Sequence, residues 1–208
     1  MSLSLTIPAP NATPIPAPAV APHRPAVEVD NRATYASFGL AYVLGHGASA
    51  LSQGATPLLD LPGWLPTALL GAGLAAGTVS ATLAAARAQR AATGPDILVG
   101  KMLGASWIVG FAALFLAITG LTNSLGMPGL QSVLWPTGSG LVVGLLYLAE
   151  GAVRRNPLHY GLGVWLALIS TAALLLGTPA LFWVLTLAGG GAYALATVLE
   201  SRRLRALA

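Results

Sequence analysis

The chain has 208 residues, 55% of them hydrophobic and 8% charged, with a net charge of +4. A soluble domain carries roughly 25% charged residues, so too little charge is present here to solvate a globular surface. The basic residues are dispersed at the ends of apolar runs without interleaved aromatics, which excludes a nucleic-acid partner, and the absence of cysteine excludes disulfides, zinc–thiolate sites and thiol catalysis.

Residues 1–30 differ from everything after them. Seven prolines fall between Pro8 and Pro25, many separated by alanine. Such a segment favours extended polyproline II over helix and has few large apolar groups to bury. It reads as a disordered cytoplasmic tail. It is not a signal peptide, because its first basic residue is Arg24 and no apolar stretch follows a charged start.

Residues 31–208 read as one membrane domain of six apolar spans. The first runs from about Thr34 to Gln53 and is the least hydrophobic, with Gly39, Gly45 and Gly47 inside it. The second runs from Trp64 to Ala86 and ends in Arg87 and Arg90. Gly94-Pro95-Asp96 is a turn signal, and the third span follows from Ile97 or Met102 to Leu121. The fourth, Leu134 to Val153, opens with Trp135-Pro136 and closes with Arg154 and Arg155. Its length is about 30 Å at ~1.5 Å per residue, matching a bilayer's hydrocarbon core. Asn156-Pro157 starts the fifth span, to Leu176. The sixth runs from Ala180 to Leu199 and ends in Glu200, Arg202, Arg203 and Arg205.

All ten Lys and Arg residues fall in the N-terminal tail, the 2–3 loop, the 4–5 loop and the C-terminal tail. The positive-inside rule then puts both termini in the cytoplasm of a multi-pass plasma-membrane protein. The high Arg, Ala and Gly usage resembles that of a high-GC bacterium, hence an inner membrane. The even spans share an aromatic-proline entrance and an arginine exit, so the fold class expected is an all-α, six-transmembrane-helix bundle built as three hairpins. A tandem duplication and common helix-anchoring rules both account for that likeness.

Small residues at four-residue spacing occur at Gly73/Gly77, Gly100/Gly104 and Gly140/Gly144. In lipid, close backbone approach is a main source of helix association. These pairs serve packing inside one bundle or an interface between copies in a homo-oligomer. Polar residues also fall on faces. In the first span Tyr35, Tyr42, His46, Ser49 and Gln53 share one helical side, as do Ser139, Tyr147, Glu150 and Arg154 in the fourth, and Thr186, Tyr193 and Thr197 in the sixth. Tyr42, His46, Ser49, Gln53, Ser139, Tyr147, Glu150, Thr186 and Tyr193 are the candidates to line a hydrated path. The same stripes also serve as hydrogen-bonding glue between helices. His46 lies about 18 Å along its helix, where a histidine can couple to protons or rest as a neutral, bonded ring. Glu150 precedes Arg154 by one turn, the favourable order for an i,i+4 ion pair. No phosphate loop, metalloprotease motif or nucleophile elbow occurs, and three scattered histidines make no metal site. No cofactor and no enzymatic activity are expected.

The architecture resembles the bacterial acetate/succinate uptake transporter family. The residues that carry the likeness are Gly104-Ala105-Ser106-Trp107 in the third span, Arg155-Asn156-Pro157 entering the fifth, its Leu174 to Gly177 end, and the Gly-rich sixth span. Asn31-Arg32-Ala33-Thr34 stands where that family has Asn-Pro-Ala-Pro before its first span. The resemblance implies uptake of small carboxylates by subunits assembled in a ring. The expectation is therefore a permease in the lipid bilayer for a small solute. The alternative is a non-transporting membrane subunit or scaffold, such as the membrane component of a complex with a separate ATPase.

Overall fold

The computed structural model describes residues 29–207. Apart from Val29 and Asp30, the proline-rich tail expected at residues 1–30 lies outside them. The described residues form six helical stretches and no strand. Helix α1 (residues 32–52) is α-helical over Arg32–Leu40, widens to a π-helix over Ala41–His46 and returns to α over Gly47–Ser52. Then come α2 (Leu65–Ala91), α3 (Pro95–Leu125), α4 (Gln131–Val153, led by a 3-10 turn at Pro128–Leu130) and α5 (Pro157–Ala173). The last, α6 (residues 180–207), holds a second π-helical stretch at Leu185–Gly189. Four of these are long and apolar enough to cross a membrane: α2, α3, α4 with its leading turn, and α6. Helix α5 is not among them, at 17 residues, nor is α1, which polar residues and glycines interrupt.

Local chemistry explains the helix ends. Gly126 ends α3 in the left-handed region at φ 63°, with the Met127 N–H returning to Thr122 O, the usual role of glycine just past a helix. The α4–α5 turn repeats this motif with Arg155 in the left-handed position at φ 53°. The Asn156 N–H there closes back on Gly151 O at 2.8 Å. Asn156 then caps α5 by accepting from the His159 N–H at 3.1 Å, with Pro157 in the first turn. Turn chemistry keeps α2 helical to Ala91 and starts α3 at Pro95, so Lys101 lies within α3, not in a loop before it.

The helices are neighbours in the order α2, α1, α6, α5, α4, α3. Helices α2 and α3 also touch near their connecting turn, where Gln89 Nε2 donates to Ile97 O at 3.1 Å. Each well-packed pair is antiparallel. Gly45 meets Leu70, and Gly73 meets Ala41, between α1 and α2; Gly39 meets Tyr193, and Gly47 meets Thr186, between α1 and α6. The most extensive contact joins α4 to α5, across two of the expected hairpins. The buried core lies among α1, α4, α5 and α6, around Tyr35, Tyr42, Tyr147, Leu166, Leu185 and Tyr193. Only Ile118 and Thr122 of α3 are buried.

The small-residue pairs separate in this packing. A Cβ at Gly73 would lie 2.6 Å from Ala41 Cβ, one at Gly77 would enter the Phe38 ring, and one at Gly144 would lie 2.5 Å from the Ala167 backbone nitrogen. Gly140 lies against Ser170 and Gly100 against Gln89. Gly104 faces nothing within 4 Å.

Candidate functional site

The chain's buried polar chemistry gathers near the end of the bundle where α1 begins and α6 ends. Tyr35, on the first turns of α1, is fully buried, and its hydroxyl lies 2.6 Å from His159 Nδ1 on α5. The other ring nitrogen, Nε2, is 3.3 Å from Glu150 Oε2 on α4. That second contact is electrostatic and not an aligned hydrogen bond, since Nε2 makes no hydrogen bond in this arrangement. Trp107 on α3 donates its indole N–H to Glu150 Oε1 at 2.8 Å. Four helices thus contribute one member each to a Trp107–Glu150–His159–Tyr35 array. With Tyr35 donating to Nδ1, the neutral His159 tautomer carries its proton on Nε2, facing the carboxylate.

Aromatic rings enclose this array. Tyr147 packs 4.2 Å from His159, 5.8 Å from Trp107 and 6.3 Å from Tyr35, centroid to centroid. Tyr193 stands 5.3 Å from Tyr42 and 6.4 Å from both Tyr35 and Tyr147. Further along α1, the Tyr42 hydroxyl and Ser170 Oγ both face Gly140. His46 sits edge-on to Tyr42 at 4.9 Å and stacks on Phe182 at 6.1 Å. The two π-helical stretches cross here, with Tyr42 of one against Gly189 of the other. Single π-turns inside α-helices are frequent at functional sites. Among the described residues, five buried polar atoms make no aligned hydrogen bond: Thr34 Oγ1, His46 Nδ1, Tyr147 Oη, His159 Nε2 and Ser170 Oγ. Native proteins leave few such groups.

The candidates read from sequence divide accordingly. The structure brings Tyr42, His46, Tyr147 and Tyr193 into one buried, continuous cluster, with the half-buried Glu150 at its edge. Ser49 and Thr186 are buried at the α1–α6 crossing, but each hydroxyl donates to its own helix, Ser49 to Gly45 O at 3.1 Å and Thr186 to Phe182 O at 2.8 Å. Gln53 caps the far end of α1 and Ser139 is half-buried on α4; neither joins the cluster. Glu150 does not form the expected ion pair with Arg154; its carboxylate turns to Trp107 and His159. A carboxylate one turn from the helix end can reach either partner, and the neighbouring helices supply the nearer donors. Tyr35, Trp107, His159 and Ser170 were not among the candidates. The signal for His159 was its place three residues after a capping asparagine, in the turn that faces Glu150 once α4 and α5 fold back on each other. Among the described residues no group of His, Asp and Glu has metal-ligand geometry.

A second buried carboxylate closes this end of the bundle. Glu200 is fully buried and accepts the Asn31 backbone N–H at 3.2 Å. Arg203 grips it with two nitrogens at 2.8 and 2.9 Å and also reaches Val29 O at 3.4 Å. The acid ties the start of α1 to the end of α6. At the surface beside it, a side-chain hydrogen bond from Arg32 holds the Asp30 carboxyl below its ordinary pKa. Glu200→Gln keeps an acceptor for Asn31 but removes the charge facing Arg203, so unfolding in detergent is expected to become easier by about 1.5–3 kcal/mol; an unchanged melting temperature would show that the ion pair contributes nothing net.

No family model matches the chain, and neither the curated proteins nor the solved structures contain a match to it.

Proposed function

We propose that this chain is a six-span inner-membrane protein with cytoplasmic termini that moves a small solute across the bilayer, small carboxylates being the first class to test. Protons exchange at the Tyr35–His159–Glu150 array. The observation that carries this reading is a carboxylate and a histidine held together inside a bundle of apolar helices. Ionisable groups enclosed among membrane helices most often serve ion, proton or substrate pathways, and this pair lies within one turn of the basic end of the bundle. The Tyr147 and Ser170 hydroxyls and His46 Nδ1 continue the polar groups along α1 away from the basic end. Flux of radiolabelled acetate or succinate into liposomes holding the purified protein, with and without a pH gradient, tests the reading. Uptake that follows the gradient is expected; liposomes no more permeable than protein-free ones would overturn it.

Antiparallel packing of α1 and α6 requires an even number of crossings if both cross the bilayer, a condition that six spans meet. The described Lys and Arg residues gather toward one end of the bundle, and Asp60 is the sole charge on the loops of the other. The chain has no cysteine of its own, so introduced ones report cleanly. Cysteines at Gly54, Asn123 and Thr178 should react with an impermeant reagent from outside the cell, and one at Ala92 should not. Outside labelling at Ala92 would reverse or break the topology.

The self-bonded hydroxyls of Ser49 and Thr186 favour a second reading, in which the stripes are packing surfaces and the chain is a non-transporting membrane subunit. Co-purification of an ATPase with the intact chain, combined with absent flux, would favour it.

A further inference from the structure

Helices α5 and α6 leave a groove of about 560 Å³ between them, with the core residues Leu162 and Ala196 among its lining. Its walls include Gly161 and Trp165 of α5 and Leu187, Gly191, Leu195 and Leu199 of α6. The glycines here differ from their neighbours. Gly163 and Gly190, close by in sequence, are pressed against Leu148 and Val43, whereas a Cβ at Gly161 or Gly191 would meet nothing within 4 Å. Glycine weakens a helix relative to alanine, and among the described residues nothing stands close enough to require it at these two positions. What the two glycines do is deepen the groove.

The groove also has a length and two different ends. From Leu199 to Leu187 its α6 wall runs about 18 Å, close to one leaflet of a roughly 30 Å hydrocarbon core. The inner end is closed by Trp165, whose indole N–H donates to Ala188 O across the groove at 3.0 Å. The outer end opens at the basic end of the bundle. There the α6 face that carries Leu195 and Leu199 continues one turn further to the exposed Arg202, with exposed Arg205 beyond it. The α5 wall starts at Pro157, directly after Arg154 and Arg155.

We propose that this groove binds a phospholipid with an anionic headgroup, one acyl chain in the slot and the phosphate against Arg202. A transmembrane helix of a second copy would cross both leaflets, and this slot stops at Trp165. An apolar slot one leaflet deep with arginine at its mouth matches an acyl chain joined to a negative head.

The full chain, purified in detergent, is titrated with phosphatidylglycerol and separately with phosphatidylcholine, following retained lipid by native mass spectrometry and the melting temperature. Phosphatidylglycerol is expected to be retained and to raise the melting temperature, and phosphatidylcholine to do neither. Arg202→Gln should weaken phosphatidylglycerol binding about fivefold. Gly191→Leu, which fills the slot, should abolish retention, while Gly191→Ala keeps it. Gly161→Leu tests the same slot from the facing helix, should Gly191→Leu fail to fold. Equal binding of both lipids, untouched by Arg202→Gln, would overturn the proposal. So would a leucine variant that keeps its lipid but loses a dimer mass, because the groove would then belong to a second copy.

Discussion

His159→Ala is expected to destabilise the folded protein by about 1–3 kcal/mol, the cost of leaving a buried hydroxyl and a half-buried carboxylate without the partner they share. The variant leaves Glu150 with Trp107 alone and leaves the buried Tyr35 hydroxyl without its 2.6 Å partner. Glu150→Gln is the milder change, because the desolvation cost of the acid goes with its charge. The double variant should therefore be more stable than His159→Ala by itself. Unfolding of the four proteins in detergent gives the coupling energy directly; a coupling of zero would mean that the 3.3 Å contact carries no energy. Arg154→Ala, one turn away and outside the array, should change stability by less than about 0.5 kcal/mol. In the flux assay, His159→Gln should retain the fold better than alanine and lose the response to a pH gradient. An unaltered pH response would take proton exchange away from this array.

Gly144→Leu is expected to abolish folding, or to cost more than about 3 kcal/mol where folded protein is recovered, beyond the usual range for an overpacked site. A Cβ at Gly144 would lie 2.5 Å from Ala167 N and 2.7 Å from Gly163 O. These are backbone atoms of α5, which cannot turn aside as a side chain does. Gly151 and Gly163 meet backbone in the same way along this contact, so the whole α4–α5 seam rests on glycine. Gly104, from an equally small-spaced pair in the sequence, has nothing near its missing Cβ. Gly104→Ala should stabilise α3 by roughly 0.5–1 kcal/mol. Expression and melting temperature measure both. A tolerated Gly144→Leu would mean that α4 and α5 do not approach closely, and the Glu150–His159 contact would fall with the seam.

Much of this fold is legible along the chain because its causes are local. Apolar run length, Asn156-Pro157 at a helix start, glycine just past α3 and the clustering of arginine at alternate run ends each depend on residues a few positions apart. The same local periodicity put Tyr42 and His46 on one side of α1, and Tyr147 and Glu150 on one side of α4; in the structure the first two rings touch, and the second two residues both meet Trp107 and His159. It could not say that Ser49 and Thr186 would spend their hydroxyls on their own helices, since a back-bond to residue i−4 and a bond to a neighbour look alike in sequence.

Which faces meet is a different kind of fact. Glu150 had Arg154 one turn away in sequence, and helical spacing made that its natural partner. The left-handed turn at Arg155 instead folds α5 back on α4 in a register that sets His159 opposite Glu150, and α3 brings Trp107 from 43 residues away. Likewise Gly104 and Gly144 are equivalent as spacings, and only the neighbour each one faces makes one open and the other indispensable. The sequence by itself determined the helical stretches, the span-length apolarity of four of them and the run ends that carry arginine, because those follow from backbone hydrogen bonding and composition within one segment. The tertiary structure decided the buried tyrosine–histidine–glutamate array, because it depends on the relative register of four helices, and that register is set by contacts between backbones far apart in the chain.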